Sequence, residues 1–124
     1  MDAGFQMNTY NVLFRGGLPK DKLTDDYLSR FTNWAKHVSK DLRLGNRLKP
    51  EGKIISGKNG ENVSNVEFSS LLVGGYIVIE ADDYDSAVSK LKACPIFEND
   101  GSVEVREVLP VHARFLHKLF SFTL

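Results

Sequence analysis

VGGYIVIEAD, Val73 to Asp82, is the most strand-like stretch of the chain, and it runs straight into the clearest short helix. From Tyr76 to Ile79 the run is apolar without a break and rich in β-branched residues, the composition of a strand buried on both faces. Gly74-Gly75 open it, and paired glycines within a strand predict a bulge or a place where another backbone comes close. Asp82 or Asp83 can cap the helix that follows. Its apolar positions Tyr84, Ala87, Val88, Leu91 and Cys94 recur at helical spacing, and Pro95 stops it.

Upstream, Met1–Thr9 is polar and reads as a flexible N-terminus, and Tyr10–Arg15 reads as the first strand, closed by Gly16-Gly17 and Pro19. Thr24 is a good N-cap, with Asp25 and Asp26 where the helix dipole favours acids. The helix predicted from there to about Asp41 puts Tyr27, Leu28, Phe31, Trp34, Ala35, Val38 and Leu42 on one face, with Trp34 as its largest core plug. A second strand near Leu42–Leu48 follows. Lys53–Ser56 and Asn62–Val66 then form a hairpin around Asn59-Gly60, a dipeptide suited to a turn with positive φ at both central residues. Downstream, Ser102–Leu109 reads as the last strand. The order β-α-β, hairpin, β-α-β predicts an α+β domain over residues 10–109. It is a ferredoxin-like antiparallel sheet with both helices on one face. Pro110–Leu124 is an amphipathic extension in which Val111, Phe115 and Leu119 form a stripe suited to docking on the body or on a partner subunit.

With 124 residues, 42% of them hydrophobic, a single domain with a real core is the default. Sixteen basic residues balance sixteen acidic ones, so a nucleic-acid backbone finds no electrostatic footprint. Cys94 is the only cysteine, which rules out a disulfide framework within one chain. No apolar run approaches a membrane span and no signal-peptide pattern opens the chain, so the expectation is a cytoplasmic protein with no membrane partner. No cofactor signature and no complete catalytic constellation can be read, and none of the metals or nucleotides is expected.

Several segments occur together: YNVLFRGG (10–17), GNRLKPEGKIISGK (45–58), VGGYIVIEADDYDSAV (73–88) and KACPIFENDGSVEVREV (92–108). In combination they resemble the YCII-related family, in the branch named for a DGPF motif. That resemblance implies a dimeric α/β barrel in which two ferredoxin-like sheets face each other, and it implies no settled activity. Members include suggested enzymes and small-ligand binders, some of them encoded near or fused to extracytoplasmic-function sigma factors. In the smaller, founding branch a histidine–aspartate pair is the implied catalytic unit. The namesake motif falls at Val63–Phe68 and reads VSNVEF here, with Asn65 for the acid, Val66 for the glycine and Glu67 for the proline.

Two constellations are candidates for chemistry. His37 and Asp41 lie four apart on the predicted helix, and a carboxylate-oriented imidazole is a usable general base. The plainer and preferred reading is a solvated pair. The second constellation is the sheet face away from the helices. Strand alternation gathers Arg15, Tyr76, Glu80, Glu104 and Arg106 there, mixed with Leu13 and Val78. In a homodimeric barrel these groups line the interior, where charges must be paired or wet. Cross-strand ion pairs are the preferred reading. The alternative is a pocket for a small anionic ligand, with Arg15 and Arg106 sharing one carboxylate and Tyr76 or Glu80 handling protons. Cys94 is expected as a buried structural thiol. His112 and His117, five apart in the extension, do not share a helical face for a metal. Two classes of function follow: a small-molecule enzyme or binder working in the barrel interior, or a non-catalytic regulatory module linked to transcription through a protein partner.

Overall fold

The computed structural model describes residues 7–17, 20–69 and 71–109. Its elements are β1 (Asn8–Arg15), α1 (Asp25–Val38), β2 (Asn46–Arg47), β3 (Lys53–Ser56), β4 (Asn62–Asn65), β5 (Val73–Ala81), α2 (Tyr84–Leu91) and β6 (Ser102–Glu107). Four strands make one sheet in the order β2-β5-β1-β6, every neighbouring pair antiparallel. With one helix following β1 and the other following β5, this is the ferredoxin-like arrangement. β3 and β4 form a separate hairpin. Asn59 and Gly60 at its tip both have positive φ, 59° and 67°, as the Asn-Gly dipeptide predicts.

Alternation along the two central strands sets the layers. Tyr10, Val12 and Phe14 of β1 and Ile77, Ile79 and Ala81 of β5 are buried on one face. Ala87 and Leu91 of α2, Cys94 and Ile96 complete that core, and Phe31, Trp34 and Val38 of α1 pack against it. Both helices therefore cover the same face. β5 is not buried on both faces as its apolar run suggests: Gly75, Ile77, Ile79 and Ala81 are buried, whereas Tyr76, Val78 and Glu80 between them are only half-covered. An interior strand of a sheet with helices on one side needs apolar residues on that side alone.

Capping chemistry places the helix starts. Thr24 Oγ1 accepts from Tyr27 N–H, and the Asp83 carboxylate accepts from Ser86 N–H. The ends are less local. α1 stops at Val38, three residues before the predicted end, because Ser39 turns into extended backbone while its N–H still donates to Ala35 O. Lys40 N–H is then taken by Val78 O at 2.8 Å, so the chain joins the edge of β5 instead of continuing the helix. Leu42 consequently sits in a short 3-10 turn, Leu42–Leu44, and not on the helix face. The second strand shrinks to Asn46–Arg47, while Asn8 and Thr9, read as part of a flexible terminus, belong to β1.

Both readings of Gly74-Gly75 hold. Phe14 pairs with Gly75 and Arg15 with Val73, so Gly74 is the extra residue of a bulge. A Cβ on Gly75 would lie 2.9 Å from Asn46 O, because β2 approaches there.

Candidate functional site

The face of the sheet opposite the helices carries the predicted polar constellation, and strand register decides which of its members meet. Asn46, Tyr76, Leu13 and Glu104 form one row across the four strands. Val78, Asn11 and Arg106 form the next. Arg15 reaches diagonally to Glu104, its Nε and Nη2 donating to Oε1 at 3.2 and 3.1 Å, and its Nη1 donates to Leu71 O at 2.7 Å. Asn46 Nδ2 donates to the Tyr76 hydroxyl at 3.3 Å. Glu80 lies farther along, with Lys40 Nζ at 3.7 Å from its Oε2.

The two arginines do not share a carboxylate. Arg15 stands opposite Ser102 and Arg106 opposite Asn11, so antiparallel register separates them by four residues, about 13 Å along the strand. Arg15 is moreover occupied by Glu104. Arg106 makes no ion pair among the described residues and is exposed. Tyr76 and Glu80 are likewise four residues apart on β5, with Val78 between them, so no acid–base pair forms from these two.

The His37–Asp41 pair is not assembled. Its i,i+4 spacing requires a helix through Asp41, and α1 ends at Val38. Asp41 instead caps the Leu42–Leu44 turn, its carboxylate accepting from the backbone N–H and the guanidinium of Arg43. Those hydrogen bonds hold the Asp41 carboxyl below the usual carboxylate range. His37 is an exposed residue of the last helical turn. Arg30, earlier on α1, binds Asp26 and Glu98 and ties the helix to the turn Pro95–Asn99. This pairing holds the Glu98 carboxyl below its ordinary range.

Cys94 is buried, and burial pushes its thiol up to about 12. At the altered motif position, Lys53 Nζ donates to Asn65 Oδ1 at 2.6 Å and Val66 N–H donates to Gly52 O at 2.9 Å, so VSNVEF closes the base of the hairpin. His112, His117 and the Val111–Phe115–Leu119 stripe lie outside the described residues. Among the described residues no group of three or more His, Cys, Asp or Glu could hold a metal ion, and no helix is long and apolar enough to cross a membrane.

One concavity escaped the sequence reading. On the helix side of the sheet, between α1 and the β2–β5 edge, a cleft of about 180 Å³ is lined by Phe14, Leu28, Phe31, Leu42, Gly75 and Arg47 among others. Its traces in the sequence are the glycines of GNRL and GGY. Gly45 and Gly75 let β2 and β5 come together, where a Cβ on Gly45 would lie 2.6 Å from Tyr76 O. Nothing in local periodicity says that α1 stands clear of these glycines.

No curated protein matches the chain. The sequence model of the YCII-related domain matches residues 25–112, from the start of α1 past the end of β6. That match spans most of the chain, which therefore belongs to the YCII-related domain family.

Proposed function

We propose that this protein binds a small organic anion on the helix-free face of its sheet, with a second copy of the chain closing over that face as the other half of a barrel. The observation that carries this reading is Arg106. It is a cation without a counter-ion among the described residues, beside the Asn11 amide and the half-exposed Val78, on a face that no described helix covers. Leu13, Val78 and Tyr76 make that face too apolar to favour water, which supports its burial against a partner. A guanidinium sheltered there offers a planar fork that matches a carboxylate. The Asn46–Tyr76 pair supplies a hydroxyl two residues along the same strand from Val78. Binding is favoured over catalysis because Tyr76 and Glu80 do not converge. Within the family, the RGG and GGY segments favour the DGPF-named branch, and the site suits a cytoplasmic metabolite.

Two measurements test it. Light scattering after gel filtration should give twice the 13.9 kDa chain mass at micromolar concentration. A thermal-shift screen of small organic acids should find stabilisers of wild type that act much less on Arg106→Gln. A monomer, or a mutant that responds as wild type does, refutes the reading.

A further inference from the structure

We infer that the cleft between α1 and the β2–β5 edge is a second, independent site, for a single-ring aromatic carboxylate whose ring enters the cleft and whose carboxylate meets Arg47. The size argument comes first. A cleft of about 180 Å³ is close to the roughly 150 Å³ apolar cavity that takes up one benzene ring, and well below the room a drug-sized ligand needs.

Shape and chemistry agree with that size. Gly75 leaves room at a position where its strand neighbours on the same face, Ile77 and Ile79, carry branched side chains. Glycine is held there by the approach of β2, so the opening follows from the sheet's own packing. The walls include Phe14 and Phe31, already edge-to-face with centroids 5.2 Å apart, and a third ring can join them in the same geometry.

Arg47 supplies the charge selection. Asn46 points to the opposite face, where it bonds Tyr76, so alternation turns Arg47 toward the helix side. It stands directly opposite Gly75, which carries no side chain, and it makes no ion pair or side-chain hydrogen bond among the described residues. Arg47 is exposed and lines this mostly apolar cleft, so its guanidinium can reach a carboxylate at the opening that stays partly hydrated. This site does not depend on the anion site at Arg106, which lies on the other face of the sheet.

Trp34 is the only tryptophan in the chain, and it lies one ring removed from the cleft, 6.0 Å from Phe14 and 5.7 Å from Phe31. Its fluorescence is therefore a local reporter. The full-length protein is titrated with benzoate, with benzamide as the uncharged ring and with acetate as the ringless anion. Tryptophan emission and the backbone amides of Gly45 and Gly75 are followed by fluorescence and two-dimensional NMR. Benzoate should saturate both signals with a Kd of about 1 mM, near the lower range of affinity per atom for a ligand of this size. Benzamide and acetate should bind at least about tenfold more weakly, and Arg47→Gln should lose about tenfold for benzoate alone. Thr32→Phe, which plugs the rim from an exposed position, should abolish the response while circular dichroism shows a folded protein. The inference is overturned if benzoate fails to saturate by about 20 mM. It is equally overturned if acetate matches benzoate, or if either variant binds as wild type does. Shifts gathering at Asn11 and Arg106 instead would overturn this site and support the one on the opposite face.

Discussion

Replacing Gly75 with alanine should destabilise the protein, although Gly→Ala at a permissive position usually stabilises it. The usual gain is about 0.4–1 kcal/mol, from restricting the unfolded chain. Here the new methyl would stand 2.9 Å from Asn46 O and 3.5 Å from Arg47 Cα. Both are backbone atoms of β2 and cannot rotate aside, so the edge strand must retreat. That movement disrupts the pairing of Asn46 with Tyr76 and Arg47 with Gly75, and the Leu48 N–H to Gly74 O bond of 2.9 Å. Two or three backbone hydrogen bonds at roughly 0.5–1.5 kcal/mol each amount to about 1–4.5 kcal/mol, with a middle value of about 2.5. Offset by the unfolded-state gain, the net loss centres on about 2 kcal/mol, a fall in melting temperature of roughly 8 °C for a chain of this size. Urea unfolding followed by Trp34 emission measures the stability, and amide exchange at Leu48 reports on β2 directly. A variant as stable as wild type, or one destabilised with Leu48 still fully protected, would show that the close approach of β2 to Gly75 is not what requires the glycine.

Phe14→Ala should lower stability by about 3–5 kcal/mol, since Phe14 is 3% exposed and sits between Phe31 and Trp34. Chemical denaturation checks this, and a loss under about 1 kcal/mol would mean that the aromatic cluster is not packed as described. His37→Ala should leave the melting temperature within about 2–3 °C and leave ligand binding unchanged, because the side chain is exposed and has no carboxylate partner at Asp41. Thermal melts together with an anion titration decide it. Cys94 should resist a disulfide reagent at pH 8 in the native protein and react fully in denaturant. Its pH dependence has a definite sign. In the unfolded chain the thiol ionises near 9.0, whereas the folded protein holds the proton up to about 12. The unfolded state therefore binds fewer protons in between, and this contribution to stability is intact below pH 9 and declines as pH rises from there toward 12. Cys94→Ala should flatten that decline.

Much of this fold is local chemistry, and local chemistry can be read along the chain. Thr24 and Asp83 cap helices because their side chains reach N–H groups three residues on, whatever the rest of the protein does. Alternation puts Tyr10, Val12 and Phe14 on one side of β1 and Asn11, Leu13 and Arg15 on the other, because the pleat has a period of two. The glycine pair in β5 announced both its bulge and its close neighbour for a similar reason, since only a missing side chain allows either. The candidate site behaves differently. Alternation alone puts Arg15 and Arg106 on the same open face, but their separation depends on β6 pairing with β1 from Arg15–Ser102 to Tyr10–Glu107, a long-range register that neither strand encodes alone. The His37–Asp41 pair was lost because Lys40 N–H found an acceptor on Val78, 38 residues away in the chain, and ended the helix before the spacing could be used. The cleft beside Arg47 exists only because α1, β2 and the glycines of β5 come together in three dimensions. Composition and period settle which side of an element a residue faces, whereas which residues meet across elements is set by hydrogen-bond partners and packing that only the folded chain brings into reach.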